Sequence, residues 1–191
     1  MAEHGVPGAA DETEFRAQLS AVLPHLRAFA RGLCGNVNLA DDLVQETAIK
    51  AWTNRDRFQI GTNMRAWTFT ILRNTYLNEL RANKRLVAYD ADLAEHTVVE
   101  PASQEARLHL NDLEAALQRL QPERREALLL VGASNFTYQA AAEICGVATG
   151  TMKSRVARAR NELAQFFGDA EPDAPPAARP AQSAAKTNTI A

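Results

Sequence analysis

The sequence has few cysteines and no long apolar run, and each scarcity excludes a class of protein. Its two cysteines, Cys34 and Cys145, stand far apart without a CxxC spacing, so we expect small core residues rather than a disulfide framework or a zinc knuckle. The four histidines are equally scattered, and we expect no metal site and no cofactor. No apolar stretch reaches the length of a membrane span, and residues 1–10 lack the features of a signal peptide. We therefore expect a cytoplasmic protein.

An excess of one charge is also absent. The 21 basic and 23 acidic side chains leave a formal charge of -2, so bulk charge does not indicate a nucleic-acid binder and the distribution of charge must be considered instead. The sequence contains no Gly-rich phosphate loop, no nucleophile motif and no carboxylate pair placed for acid–base chemistry. An enzyme is therefore the least supported class.

Helical periodicity predicts an all-α protein with two small domains. The first covers residues 11–86 and the second residues 105–167, and both repeat apolar side chains at three- and four-residue steps. Between them, residues 87–104 carry four acidic side chains and no Lys or Arg, which indicates a flexible acidic linker. Residues 1–10 and 168–191 have few large apolar side chains and are predicted to be disordered.

The first domain begins with two predicted helices. The first runs up to Gly35 and contains Pro24, where we predict a kink or two abutting helices. The second begins at Asn38, because Asn38 followed by Asp41 is typical of an N-cap with an acid in the first turn. It ends near Asn54.

A third helix follows a loop over residues 55–63 and combines basic, aromatic and amide side chains. Five basic residues between positions 65 and 85 are opposed only by Glu79, a composition that suits single-stranded DNA. Phe69 and Tyr76 recur at core spacing and are predicted to be buried. The side chains better placed to meet an unstacked base are Phe58, Thr62, Asn63, Trp67, Asn74 and Asn78.

An acidic and polar cluster lies early in the second helix, formed by Asp41, Asp42, Gln45 and Glu46. Two interpretations are open. The acids complement the positive end of the helix dipole, or they form a docking face for a basic partner helix.

The second domain ends in the spacing of a helix-turn-helix. Residues 137–145 form a short Ala-rich helix, Gly146 can adopt the left-handed cap, and Thr149 opens another helix after a few residues. From position 149 to 167 four basic residues face the single acid Glu162. This asymmetry favours DNA binding, although an amphipathic helix that merely solvates its cations is the alternative.

The first turns of the second helix enter the major groove in this motif. The candidates for contacts with base edges are therefore Thr149, Thr151, Lys153, Ser154 and Arg155. Arg158 and Arg160 lie further along the helix and are expected to hold the phosphate backbone.

Three segments together resemble the extracytoplasmic-function sigma factors of bacteria. They are DDLVQETAIKAW at 41–52, NMRAWTFTILRNTYLNELRANKR at 63–85 and TYQAAAEICGVATGTMKSRVARARNEL at 137–163. They cover both predicted domains in the right order, as sigma region 2 and sigma region 4. Within that family the sequence of these segments is most similar to the alphaproteobacterial general-stress group called EcfG.

The resemblance implies a role for each segment. The cluster Asp41, Asp42, Gln45 and Glu46 would dock on the beta-prime coiled coil of core RNA polymerase. The minus-ten promoter element would be melted and read by Phe58, Thr62, Asn63, Trp67 and Asn74, with Arg81, Lys84 and Arg85 on phosphates. The helix-turn-helix would read the minus-thirty-five element, and the acidic linker would thread towards the active-site channel.

The resemblance also implies regulation by a small anti-sigma protein of the NepR type that wraps both domains, with the chain monomeric when free. Two other functions remain open at this point. A stand-alone helix-turn-helix regulator predicts no affinity for core polymerase. A sigma mimic that sequesters an anti-sigma factor has no use for a basic recognition helix.

Overall fold

The described part of the chain folds almost entirely into helices joined by tight turns. The computed structural model describes residues 9–59, 61–87 and 104–168. In chain order the elements are α1 (Ala9–Cys34), α2 (Val37–Thr53), a 3-10 turn (Arg55–Arg57), α3 (Met64–Val87), α4 (Gln104–Arg119), α5 (Pro122–Leu128), a π-helical turn (Leu129–Ala133), α6 (Tyr138–Cys145) and α7 (Thr149–Phe167). The all-α prediction is confirmed. None of these helices is both long and apolar enough to cross a bilayer.

The predicted domain limits lie close to the ends of the helices. α1 begins at Ala9, two residues before the predicted boundary. The predicted linker starts at the last residue of α3 and ends at the first residue of α4, and the rest of it lies outside the described residues, as do residues 1–8 and 169–191.

α1, α2 and α3 form a three-helix bundle around an apolar core. Leu26 and Phe29 of α1 belong to this core together with Phe69 and Leu72 of α3, and all four are at most 2% exposed. Tyr76 is also buried. The prediction that Phe69 and Tyr76 are core residues is confirmed.

Pro24 lies inside α1 without dividing it. α1 runs unbroken from Ala9 to Cys34, and the Pro24 ring is exposed. Because proline cannot donate to the carbonyl four residues earlier, placing it on the solvent side lets water satisfy that carbonyl. The predicted alternative of two abutting helices is therefore wrong.

The start of α2 differs from the prediction by two residues. Gly35 ends α1 with a φ of 65°, and the Asn36 side chain accepts a hydrogen bond from the Leu39 amide at 2.9 Å. Asn36, not Asn38, is therefore the N-cap. Asp41 consequently lies beyond the first turn of α2, which contains no acidic residue.

α4 to α7 form the second domain. Pro122 opens α5 at a position where its missing N–H costs nothing. After the π-helical turn, Thr137 caps α6 by accepting from the Ala140 amide at 3.1 Å. An ion pair between Arg124 and Glu162 joins α5 to α7.

The two domains are in contact. α6 packs against α3, while α4, α5 and the π-helical turn pack against α1. Both cysteines lie near this boundary, Cys145 buried and Cys34 half-buried, so only Cys145 is a fully buried core residue as predicted.

Candidate nucleic-acid interface

The turn between α6 and α7 has the geometry of a helix-turn-helix, which confirms that prediction. Gly146 takes a φ of 65° and a ψ of 38°, and its amide donates to the Ala142 and Glu143 carbonyls to end α6. The left-handed conformation favours glycine because a Cβ would be strained there. Three residues later, α7 begins at Thr149.

α7 has one packing side and one open side. Met152, Val156 and Ala159 are at most 1% exposed and join the core of the second domain. On the other side, the exposed candidates for DNA contact are Thr149, Thr151, Lys153, Ser154 and Arg158, while Arg155 is half-buried.

The open side of α7 keeps a net positive charge. Its single acid, Glu162, is paired with Arg124 of α5. Among the described residues, Lys153, Arg155 and Arg158 form no ion pair. These cations are therefore free to meet phosphates or base edges.

The acidic cluster of α2 lies on an exposed face. Asp42, Gln45 and Glu46 are exposed, and Asp41 is half-exposed with its carboxylate 2.9 Å from the Arg27 guanidinium of α1. The helix-dipole effect falls off within the first turn, and all four residues lie beyond it. Complementing the helix dipole therefore does not explain them.

The same face continues into an apolar residue that sequence reasoning did not single out. Ile49 is 65% exposed and follows Asp42, Gln45 and Glu46 at helical spacing, so the four share one side of α2. The sequence could have predicted this exposure, because Ile49 falls outside the apolar face that is defined by Leu43, Val44 and Thr47. We call these four exposed residues the α2 docking face.

A polar surface cleft lies between α2 and α3. Its volume is about 350 Å³, and the residues that line it are Lys50, Asn54, Arg57, Trp67, Ile71, Asn74, Thr75 and Asn78. Of the minus-ten candidates, Trp67 and Asn74 are brought together here. Two cations, three amides and an indole in one cleft match the chemistry of single-stranded nucleic-acid sites. We call this set the α2–α3 cleft.

The side chains of the cleft are held in place by their neighbours. Lys50 donates to the Thr75 hydroxyl at 3.0 Å and pairs with Glu46 at 2.6 Å. The Trp67 ring packs against Phe58, with centroids 5.1 Å apart. Asn74 is exposed, which leaves its amide available to a ligand.

The remaining minus-ten candidates lie outside the cleft. Phe58 is 8% exposed and packs against Phe15 and Trp67, so its ring has no open surface for a base in this conformation. Asn63 accepts from the Ala66 amide at 3.1 Å at the start of α3, and the Thr62 hydroxyl donates to the Gln59 carbonyl at 2.6 Å.

The basic end of α3 is only partly described. Arg81 is exposed and donates to Asn78 at 2.9 Å. Lys84 and Arg85 fall within α3, and their side chains lie outside the described residues.

Sequence reasoning missed five of the eight cleft residues, among them Ile71 and Thr75 of α3, and it misplaced two cations. The wall opposite α3, formed by α2 and the turn after it, supplies Lys50, Asn54 and Arg57. Their spacing of four and three residues could have predicted that they share one side. Arg65 and Arg73 counted towards the basic character of α3, yet both face the second domain, where they bond Ser134 and Glu126.

Two family models match the chain. The model described as Sigma-70 region 2 matches residues 19–86, and the model described as Sigma-70, region 4 matches residues 110–163. The first match contains the α2 docking face and the α2–α3 cleft. The second contains the helix-turn-helix.

Individual known proteins are similar over most of the chain. It is 49% identical over 153 residues to the ECF RNA polymerase sigma factor EcfG of Rhodopseudomonas palustris (strain TIE-1), covering 80% of this chain and 84% of the relative. It is 34% identical over 139 residues to the ECF RNA polymerase sigma factor SigC of Mycobacterium tuberculosis, covering 72% and 74%. The solved complex of the sigma factor RpoE with the anti-sigma factor NepR from Bartonella quintana matches with a TM-score of 0.75 and 45% identity, covering 81% of this chain and 96% of that sigma chain.

Proposed function

This chain belongs to the extracytoplasmic-function RNA polymerase sigma factors, and we propose that the promoters it selects are those of general stress response genes. As a sigma factor it binds core RNA polymerase, directs promoter-specific initiation and catalyses no covalent reaction. The 49% identity to EcfG carries the stress assignment. We also propose that it acts in the cytoplasm.

The α2 docking face is the proposed contact with the beta-prime subunit. Exposed Asp42 and Glu46 attract a basic helix, and Ile49 offers apolar surface one turn further along. Charge complementarity steers and orients such a contact, while burial of an apolar side chain slows its dissociation. Asp41 contributes through its ion pair with Arg27, which ties α2 to α1.

The α2–α3 cleft is the proposed site for an unstacked base of the minus-ten element. Trp67 offers an aromatic surface, Asn74 and Asn78 offer amide hydrogen bonds, and Lys50 and Arg57 offer charge to a phosphate. Extracting a base costs a few kcal/mol, and stacking on an aromatic side chain returns about 1–3 kcal/mol per base. Capture in the cleft therefore offsets most of that cost, and the polymerase assembly supplies the rest.

The open side of α7 is the proposed reader of the minus-thirty-five duplex. Thr151, Ser154 and Arg155 lie in its first two turns, where this motif meets base edges. Arg158 lies one turn beyond and is assigned to the phosphate backbone.

An anti-sigma partner of the NepR type is proposed from the likeness to the Bartonella RpoE that was solved with NepR. We expect a 1:1 complex that covers the α2 docking face, and a monomer in its absence. Titrating a NepR-type protein into the complex of this chain with core polymerase should release the polymerase. A stable ternary complex would contradict the proposal.

Paired substitutions test the division of labour. Reversing the charges of Asp42 and Glu46 to Lys should weaken core binding and spare affinity for a minus-thirty-five duplex. Arg155→Ala should do the opposite and relax sequence preference by about 1–3 kcal/mol if Arg155 contacts a base. Equal losses of both activities in either variant would contradict these assignments, with circular dichroism reporting whether the variant is folded.

A further inference from the structure

Four aromatic rings of the first domain pack together beside the α2–α3 cleft. They are Phe15 of α1, Trp52 of α2, Phe58 after the 3-10 turn, and Trp67 of α3. The Phe15 ring contacts the other three, with centroids 6.0 Å from Trp52, 5.7 Å from Phe58 and 6.1 Å from Trp67. Because Phe15 is only 3% exposed, it is the buried centre of this aromatic cluster.

Phe15 lies before the part of the chain that the first family model matches. The Sigma-70 region 2 match begins at residue 19, whereas α1 begins at Ala9. The second turn of α1 therefore packs behind the cleft although it lies outside the matched region. Its contribution to the site follows from the rings that Phe15 contacts.

Trp67 is the ring of the cluster that lines the cleft. The Phe58 ring packs against its indole with centroids 5.1 Å apart, and the Phe15 ring meets the indole edge-on at an interplanar angle of 73°. Trp67 is half-buried, so part of the indole stays open towards the cleft. The two phenylalanines behind the indole set the orientation of that open surface.

The local backbone gives Phe58 and Trp67 little support of its own. Phe58 directly follows a 3-10 turn of three residues, and Trp67 lies in the first turn of α3, where helices fray most readily. Phe15, in contrast, belongs to a helix of 26 residues whose apolar side chains pack into the bundle core. The aromatic cluster therefore ties the residues at the cleft to the body of the bundle.

This support bears directly on the capture of an unpaired base. A base that stacks on Trp67 binds best when the indole already has the required orientation, because ordering a side chain at the moment of binding costs entropy. Ordering one such side chain reduces affinity by a factor of about 2 to 12. A group that fixes the indole beforehand removes that loss.

We propose that Phe15 is a positioning residue for the minus-ten element, which acts by holding Trp67 in the orientation that stacks on an unpaired base. The inference rests on the proposed function, because it requires the α2–α3 cleft to receive that base. Phe58 then acts as the ring between Phe15 and Trp67 rather than as a contact with DNA. Phe15 touches no nucleotide itself, since its ring is buried beneath the cluster.

Phe15 also stabilises the bundle, and a matched substitution separates the two effects. Phe29 is another buried phenylalanine of α1, 2% exposed, and it packs against Phe69 with centroids 4.9 Å apart. The cleft is lined by neither of these two rings. Phe15→Leu and Phe29→Leu each exchange a buried ring for an aliphatic side chain, so both should lower stability and only Phe15→Leu should affect the cleft.

The first readout is the exposure of the Trp67 indole. The chain has two tryptophans, and both belong to the aromatic cluster, so a Trp52→Phe background leaves Trp67 as the single source of tryptophan fluorescence. Phe15→Leu should increase the quenching of Trp67 by acrylamide, because the indole loses a ring that covers it. Phe29→Leu should leave the quenching unchanged.

The second readout is promoter opening by the full-length chain in complex with core polymerase, followed by permanganate reactivity of unpaired thymines. Phe15→Leu should slow opening by a factor of about 2 to 12 with core affinity unchanged, and Phe29→Leu should open promoters like the wild type. In a Trp67→Ala background, Phe15→Leu should slow opening no further, because the ring that it positions is gone.

Equal opening rates in Phe15→Leu and Phe29→Leu would overturn the proposal, and so would a further loss of the same size when Phe15→Leu is added to Trp67→Ala. Circular dichroism reports whether each variant is folded, and Phe15→Met, which also lacks a ring, replaces Phe15→Leu if that chain does not fold. Normal opening by Trp67→Ala alone would instead count against the cleft as the base site, and therefore against the proposed function.

Discussion

Arg73 and Glu126 form an ion pair across the domain boundary, with Nε and Oε1 2.6 Å apart and both side chains largely buried. The residues are 53 positions apart in sequence. Removing one partner of such a pair costs about 3–5 kcal/mol when the other charge stays buried. Separation of the domains avoids that cost, so the pair makes contact between the domains sensitive to a single charge.

A charge exchange tests this sensitivity. Arg73→Glu should place two carboxylates together and open the free chain, and adding Glu126→Arg should close it again. Small-angle scattering gives the readout as a larger radius of gyration for the single variant only. Arg16→Glu, which disrupts an exposed pair with Glu12 at 3.7 Å, should leave the radius unchanged because surface pairs contribute little. An unchanged radius in Arg73→Glu would contradict the role of the pair.

The N-cap of α2 provides a test of local structure. Asn36→Ala should lower the free energy of unfolding by about 1 kcal/mol, because the Leu39 amide loses its acceptor. Asn38→Ala removes an exposed side chain within the helix and should stay within about 0.5 kcal/mol of the wild type. Thermal denaturation compares the two, and a larger loss for Asn38→Ala would favour the cap originally predicted from the sequence.

These two asparagines illustrate how far sequence reasoning reaches. The helix-turn-helix was predictable because Gly146 and the flanking periodicity are local signals. The N-cap of α2 was not predictable, because the side chains of both Asn36 and Asn38 are able to cap a helix. The choice depends on Gly35 ending α1 one residue before Asn36, with the register of α2 then set by burial of Ala40 and Leu43.

Tertiary partners explain the other differences. Phe58 lies in a predicted loop, yet Phe15 from the start of α1 packs against it and removes it from solvent. Arg65 and Arg73 contribute to the basic composition expected of a DNA-binding helix, but their hydrogen-bonding partners come from the second domain. No local sequence pattern predicts contacts between residues so far apart in the chain.

Ile49 gives a test of the α2 docking face. Ile49→Ser should weaken binding to core polymerase by about 1–2 kcal/mol, because an isoleucine that is buried on docking contributes up to about 3 kcal/mol. Its exposure of 65% in the free chain means that the free energy of unfolding should hardly change. Ile49→Leu keeps the apolar surface and should retain affinity. Full affinity in Ile49→Ser would remove Ile49 from the docking face.

Asn74 gives a test of the α2–α3 cleft. Asn74→Ala removes an exposed amide from the cleft and should slow promoter opening while leaving core binding intact, because a base loses a hydrogen-bonding partner worth about 1 kcal/mol. Permanganate reactivity of unpaired thymines measures the opening. Asn83→Ala, a matched change at an exposed asparagine of α3 outside the cleft, should behave like the wild type. Identical opening in both variants would exclude Asn74 from base capture.

Run-off transcription measures whether this chain selects promoters for core RNA polymerase. Purified chain would be combined with core RNA polymerase and a library of promoter fragments that vary in both elements. A promoter-selecting sigma factor should initiate from a subset of fragments that share a minus-thirty-five and a minus-ten sequence. That initiation should be lost when Asp42 and Glu46 are reversed in charge. Absence of selective transcription, together with absence of core binding, would contradict the assignment of this chain as a promoter-selecting sigma factor.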